Sequence, residues 1–420
     1  MYKSGRYKNI ATILLILFTL SIGIDSLFAK TKIVPVADVT LLGGQYFLKN
    51  ESSSFGGNFD LFYTPVINFT SEKALLPIVS LTYRGTKDVR ELVGGGTLTQ
   101  EYLDTSLSLK YVHKINDTLK IKPRIGYKTE YLKETKDETW QRGLFDYDKT
   151  IGGVEFEKNL TGGVNNLRIG YDYYTMKYPN YSSLISQGEF QTAVDTTTYS
   201  EISTNAGVNV LDYNTGELFA DFIHSFNETV QGRIAYDIAW KSFPDQHIVN
   251  ETGQFTTGLR NDTVHLLTLS YQKQTNKKTL LSITDYVQNY ISNQNSYDAN
   301  QTKYIPKFYN FFQNSITPSL TLSIGKKHPY KRLNIYLDLT IRGYGDRLAQ
   351  DEAGNYLSEK VSQTTTSLGT GYTIPIERYK GLSAYFNINY RTSSSNMKYE
   401  KYYKYNYYVS NYFLGLNWKY

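Results

Sequence analysis

The chain has 420 residues, with 45 Lys and Arg against 39 Asp and Glu for a formal charge of +6. Three basic residues and one acid fall in the first 29, leaving about +4 for the rest, too mild a surplus to point to nucleic acid. Cysteine is absent, which excludes disulfides and thiolate metal sites.

Mean hydropathy is negative although the chain carries 40 Tyr, 20 Phe and 3 Trp. That combination fits strands with one wet face and one oily face. A chain of this length usually divides into two or more soluble domains, yet no linker or composition shift marks a boundary. One large closed sheet over residues 30–420, a single domain, accounts for this better.

Met1 to Ala29 has a basic start (Lys3, Arg6, Lys8), an apolar run from Ile10 to Ile24, and Leu27-Phe28-Ala29 before Lys30. This is the layout of a secretory signal peptide. An uncleaved anchor helix is the rival, but the run is shorter than the ~20 residues a span needs. No later stretch is long and apolar enough for a membrane helix, so any spanning falls to strands.

A first strand is expected from Val36 to Leu48, with alternation too poor around Gly43 and Gly44 to assign its facing. Phe59, Leu61, Tyr63, Pro65, Ile67 and Phe69 then make one oily face, and Pro77, Val79, Leu81 and Tyr83 the next. The two prolines belong near a rim, since each removes a ladder donor. The clearest hairpin turns at Asn116-Asp117-Thr118, with Leu107, Leu109, Tyr111, Leu119, Ile121, Ile125, Tyr127 and Tyr131 outward. Its opposite face carries Lys110, Lys114, Lys120, Lys122, Arg124 and Lys128, charges that belong in a wet lumen because lipid would penalise each by ~2–4 kcal/mol at the midplane.

The pattern continues with Val154 and Phe156 opposite Glu155 and Glu157, and with Leu167, Ile169, Tyr171 and Tyr173 opposite Arg168, Gly170 and Asp172. After a polar stretch from Pro179 to Asn214, Leu218, Ala220 and Phe222 face away from Asp221. Ile234, Tyr236, Ile238 and Trp240 face away from Arg233, Asp237 and Lys241. His265 to Tyr271 and a less regular strand from Leu280 to Tyr290 follow. Leu320 to Ile324, Leu333 to Ile341 (opposite Asp338 and Arg342), Leu368 to Ile376, Leu382 to Tyr390 and Tyr407 to Tyr420 complete sixteen strands, with fourteen or eighteen as neighbouring counts. Connections alternate between short (Asn116–Thr118, Asn227–Gln231, Asn276–Lys278, Glu377–Lys380) and long (Gly85–Gly96, Glu134–Tyr147, Pro244–Asn261, Asn293–Tyr304, Asp346–Lys360, Thr392–Asn406). The fold class expected is all-β, a transmembrane antiparallel up-and-down barrel with tight periplasmic turns and long outer loops.

In the last strand Tyr408, Tyr412, Leu414, Leu416, Trp418 and Tyr420 share one face, while Asn411, Gly415, Asn417 and Lys419 share the other. The ending Gly415-Leu416-Asn417-Trp418-Lys419-Tyr420 resembles the C-terminal assembly signal of bacterial outer-membrane β-barrel proteins. The resemblance implies an outer-membrane location and recognition of Gly415, Trp418 and Tyr420 by the barrel-assembly machinery.

No enzymatic chemistry is expected. His113, His224, His247, His265 and His328 are scattered without metal-ligand spacing. Gly94-Gly95-Gly96 and Gly369-Thr370-Gly371 lack the strand-to-helix context of a phosphate loop. The pore-lining candidates are Lys110, Lys114, Lys120, Lys122, Arg124, Lys128, Arg168, Asp172, Arg233, Asp237, Asp338 and Arg342. Two arrangements fit the six-cation wall equally: charges open to a permeating ion, or charges paired across neighbouring strands. Inward tyrosines at 174, 336, 344 and 385 are better read as filling space than as sugar-stacking platforms. A barrel of this size leaves an aqueous channel unless loops plug it. The expected function is therefore porin-like passage of small hydrophilic solutes with a modest anion preference. It needs no cofactor or nucleic acid; outer-membrane lipid surrounds it, and the oligomeric state stays open. The alternatives are a barrel exporting polysaccharide or assembling surface material, and a plugged barrel with adhesive loops.

Overall fold

The computed structural model describes residues 31–49, 51–91, 96–160, 164–181, 209–299, 301–326, 330–400 and 403–420. The leader expected at residues 1–29, Gly94-Gly95 and His328 lie outside them. In chain order the strands are β1 (Lys32–Leu48), β2 (Ser54–Asn68), β3 (Lys73–Arg84), β4 (Asp88–Glu91), β5 (Gly96–Thr99), β6 (Glu101–Lys114) and β7 (Leu119–Lys133). Next come β8 (Tyr147–Leu160), β9 (Asn165–Lys177), β10 (Tyr213–Asn227), β11 (Val230–Val249), β12 (Phe255–Asn276) and β13 (Thr279–Ser292). The last are β14 (Ser296–Asp298), β15 (Lys303–Ile305), β16 (Phe311–Ile324), β17 (Lys331–Gln350), β18 (Tyr356–Pro375), β19 (Leu382–Ser395) and β20 (Tyr407–Lys419). All but β4, β5, β14 and β15 join one closed antiparallel barrel of sixteen strands, in which each pairs with its sequence neighbours and β20 returns to β1.

Directly paired residues share a face, so the register propagates one facing around the wall. Leu414, Leu416 and Leu41 stand outward at the β20–β1 pair, exposed at 64, 46 and 58%. Ile125, Ile234, Ile341 and Leu368 lie on the same outer surface. Tyr111, Tyr271, Tyr372 and Trp418 ring it near the turn end, and Tyr131, Tyr173, Trp240 and Tyr408 near the loop end. An apolar band between two aromatic girdles on an even-numbered, edgeless barrel is the form in which chains cross bacterial outer membranes, and this chain is an outer-membrane barrel.

The turn end is built by asparagine. Asn116 Oδ1 accepts from the Thr118 and Leu119 amides, each at 2.9 Å, and Asn227 and Asn276 repeat the device with Thr229 and Lys278 at 2.9 and 2.8 Å. At the other end the long connections differ from the sequence expectation. Pro244–Asn261 and Asp346–Lys360 are largely continuations of β11–β12 and β17–β18 beyond the apolar band, with β-bulges after Ser242 and Gly343. Their alternation vanishes because lipid no longer covers the outer face there, while the inner face packs on loops and hairpins. The β4–β5 and β14–β15 hairpins, four and three residues a strand, are too short to leave a period.

Prolines interrupt the ladder as their missing N–H requires. β2–β3 pairing lapses between Tyr63–Val79 and Ile67–Leu75, around Pro65 and Pro77, and β6–β7 pairing lapses around Pro123. The irregular reading of Leu280–Tyr290 also has a physical cause. In β13, Asp285 and Asn289 occupy the outward register. Asp285 has Ile283 and Val287 on its own strand and Leu269 and Ile316 beside it, and it accepts from Asn314 Nδ2 at 2.7 Å.

Closure depends on the β20–β1 seam. Inside it, Asn417 Nδ2 donates to Asp38 Oδ1 at 2.6 Å and Thr40 Oγ1 at 2.7 Å, and Lys419 pairs with Asp38 at 3.1 Å. The two backbones approach so closely that a Cβ at Gly415 would collide with the Leu41 carbonyl, and one at Gly44 with the Tyr412 carbonyl. Gly415→Ala should therefore destabilise the closed barrel by about 1–3 kcal/mol, the usual range for overpacking. Gly343→Ala, where a Cβ meets nothing within 4 Å, serves as the control. The check is the temperature at which the compact band of an unboiled gel sample is lost. Equal temperatures for the two variants would refute the seam argument.

Candidate functional site

All twelve pore-lining candidates stand on the inward register. Antiparallel pairing sets Lys120 opposite Glu157, Lys122 opposite Glu155, and Arg168 opposite both Glu157 and Asp221. Of the two arrangements open for the six-cation wall, the structure has the paired one. Lys110 meets Glu155 at 3.2 Å, Lys120 meets Glu157 at 2.7 Å, and Lys122 meets Glu155 at 2.6 Å and also Glu157. Arg124 binds Asp172 through Nε at 2.9 Å and through its terminal nitrogen, Lys128 meets Asp104 at 2.5 Å, and Lys114 reaches Asp117 at the turn rim at 2.7 Å. Asp221 holds both Arg168 and Arg233, the latter at 2.9 Å.

Asp237 shares the inner face of β11 with Arg233, Asp338 accepts from Thr317 Oγ1 at 2.6 Å, and Arg342 donates to Gln313 Oε1 at 2.7 and 2.9 Å. Opposite charges one strand apart form this ladder. Water still reaches it: the side chains of Arg233, Arg168, Lys120 and Arg124 are 34–41% exposed although they point into the barrel.

Towards the loop end the interior narrows. The β4–β5 hairpin folds into the mouth, where Val89 packs on the inward side chains Tyr46, Leu48 and Val409, and Asp88 is bound by Arg391. Arg90 on the same hairpin pairs with Glu130 of β7 at 3.0 Å and lies over the Tyr102 ring at 4.2 Å. Tyr344, Ala349, Val361, Met397 and Tyr405 form a second packed cluster at the loop end. Between them lies a cavity of about 450 Å³, lined by Arg90, Lys241, Arg260, Arg342 and Arg347, one acid (Glu130), nine aromatic residues, Leu211 and Gln288.

Most of this waist escapes a sequence reading. Arg260 falls inside the expected loop Pro244–Asn261, yet it is 1% exposed, chelated by Asp262 at 2.6–3.0 Å and stacked on Phe243 and Tyr309 at 4.3 and 4.1 Å. Lys241 sits on the inward register that alternation predicts, with no motif to single it out. The inward tyrosines fill space: Tyr336 lies over Gly369 and Tyr385 over Gly371, two positions where a Cβ would strike a ring. The histidines serve locally. His113, His224 and His265 face outward, His265 bound to the Tyr236 hydroxyl at 2.7 Å, and His247 holds the Thr256 carbonyl at 2.8 Å.

Outside the spanning strands, the β7–β8 loop folds around Asp146. This carboxylate is 1% exposed and accepts from the Leu132 amide at 2.7 Å, the Gly143 amide at 3.1 Å and Asn180 Nδ2 at 3.2 Å. Burial outweighs these donors and pushes its pKa up to about 6.

No family model and no curated protein matches the sequence. Among solved structures, the chain is similar to OmpT, an outer-membrane protein of Vibrio cholerae in its trimer form, at 11% identity and TM-score 0.45, over 93% of this chain and 99% of that one. It is also similar to Acinetobacter baumannii OccAB3, at 9% identity and TM-score 0.46, over 92% and 99%. A third is a bacterial polysaccharide outer membrane secretin, at 8% identity and TM-score 0.43, over 92% and 98%.

The Asp146 environment yields a pH dependence with a fixed sign. The closed loop keeps a proton up to about pH 6 that an opened loop releases near pH 4. Closure is therefore favoured below about pH 4, and that gain is lost as the pH rises through about 6. Amide exchange at Leu132 and Gly143, corrected for intrinsic rate, should be slower at pH 5 than at pH 7.5. Asp146→Asn should flatten the difference, and a natural chain without it would contradict the assignment.

Proposed function

We propose that the barrel is a porin-like channel that lets small hydrophilic solutes cross the outer membrane by diffusion, without catalysis or a bound cofactor. The observation that carries this is the solvent exposure of ion-paired side chains on the inner wall, which makes the turn-side half of the lumen a wet passage. The ladder itself has little net sign, so a modest anion preference comes from the waist, where Lys241 lines the cavity among aromatic rings without an ion-pair partner. Screening weakens that preference at high salt, since the Debye length falls to about 3 Å at 1 M.

A salt-gradient reversal potential in a planar bilayer tests this. The natural chain should favour anions modestly. Changing Lys120, Lys122, Arg124 and Lys128 to Gln should swing the preference towards cations, because Glu155, Glu157, Asp172 and Asp104 lose their partners. An unmoved potential would place the ladder off the conduction path. Absence of any current would favour the filled-barrel reading, which the inserted β4–β5 hairpin supports.

The turn end is assigned to the periplasm and the loops to the cell exterior. Trp418 and Tyr420, rings 5.9 Å apart at the turn-side rim, then present the ending read by the assembly machinery. Because the chain has no cysteine, single introduced thiols report cleanly. A membrane-impermeant maleimide on intact cells should label Ala353→Cys but not Asp117→Cys. Adding Tyr420→Lys should abolish the Ala353→Cys signal. Labelling of the turn instead would reverse the orientation, and undiminished labelling in the presence of Tyr420→Lys would remove the assembly role.

A further inference from the structure

Above the paired ladder, two inward lysines break the rule that each cation has a carboxylate. Lys149 of β8 lies over the Tyr174 ring at 3.7 Å, and Lys241 of β11 sits between the Tyr213 and Tyr290 rings at 5.2 and 5.4 Å. Among the described residues, neither ammonium group has an ion-pair partner. Lys241 also lines the cavity of about 450 Å³ at the waist. Aromatic rings hold its charge in place there without cancelling it.

The lining selects a kind of occupant. Its one acid, Glu130, is engaged by Arg90 at 3.0 Å, and Asp262, which stands opposite Lys241, is taken by Arg260 at 2.6 Å, so the Lys241 ammonium is left for an anion. The volume lies within the roughly 300–1,000 Å³ of ordinary small-ligand sites. Several ring faces are already covered by cations: Arg342 over Phe311 at 4.6 Å, Arg260 over Tyr309 at 4.1 Å, and Lys241 over its two tyrosines. A planar aromatic acid would find these faces occupied. Tyr290 and Tyr147 already donate to Asp262 and Glu130, but the Gln288 amide and the Tyr309 and Tyr344 hydroxyls offer hydrogen-bonding groups that a hydroxylated solute can engage and an apolar acid cannot.

We propose that this cavity is a binding station for a hydroxylated carboxylate, a sugar acid of one or two rings, with Lys241 receiving its carboxylate. The inference rests on the channel reading and names the solute class for it.

The probe is glucuronate, added at low salt to the purified protein in a planar bilayer, with glucose and benzoate as comparisons. Glucuronate should reduce the current at a concentration about tenfold lower than either comparison. Lys241→Gln should raise that concentration about tenfold, and Lys241→Arg should retain it. Equal effects of glucuronate and glucose, a stronger effect of benzoate, or an unchanged Lys241→Gln channel would each overturn the proposal while leaving the channel itself standing. If no current flows, the channel reading fails, and calorimetric titration of glucuronate into the detergent-solubilised protein decides the site alone. Heat that disappears in Lys241→Gln and returns in Lys241→Arg supports it, and no heat with the natural chain overturns it.

Discussion

The requirement that every backbone N–H and C=O within hydrocarbon find a partner is the constraint from which this molecule follows. A sheet meets it only by having no edge, so everything depends on β20 lying against β1. The chain secures that contact with small things: glycines at 415 and 44 where the backbones crowd, and Asn417 and Lys419 reaching Asp38 from the inner side. Once the seam is set, the register around the wall is set, and with it which side chain of each pair meets lipid and which meets water.

Closure also decides what the interior charges can do. A lysine on one strand and a glutamate on the next become direct neighbours only when the register places them so, as Lys120 and Glu157 are. The result is two electrostatic regimes stacked along one axis. Near the turns, carboxylates and cations neutralise one another in a hydrated ladder. Near the loops, an inserted hairpin and a packed aromatic cluster leave a waist in which arginines are engaged by Glu130 and Asp262 while Lys241 has only aromatic rings about it. In the channel proposed above, bulk passage is assigned to the first region and discrimination between solutes to the second.

The architecture was legible in the sequence wherever lipid enforces alternation. Leu107 to Tyr131, Leu333 to Ile341 and Leu382 to Tyr390 show their facing directly, because an inward slip would put lysines or arginines into hydrocarbon. Legibility stopped where that pressure stops. Beyond the apolar band, β11–β12 and β17–β18 continue as hairpins whose outer face meets no lipid, and their residues read as loop. The inward candidates were found by register, but their pairing was not, since pairing requires alignment between strands rather than within one. The waist was hidden for both reasons at once: Arg260 lies in such an extension, and the β4–β5 hairpin is too short to carry a period. Gly415, singled out by the shape of the chain's ending, has a mechanical necessity at the seam that no reading of one strand could contain.

The outward polar pair Asp285 and Asn314, with Asn289 beside them, bears on how the barrel sits among its neighbours. Acyl chains offer no hydrogen bonds, so a carboxylate and its amide partner at mid-strand mark one direction on a largely apolar circumference. A cylinder that could otherwise rotate about the membrane normal without preference thus has a marked azimuth at β13 and β16. Its front and back are distinguishable to the surrounding bilayer, and rotational orientation in a crowded membrane becomes an energetic variable rather than a random one.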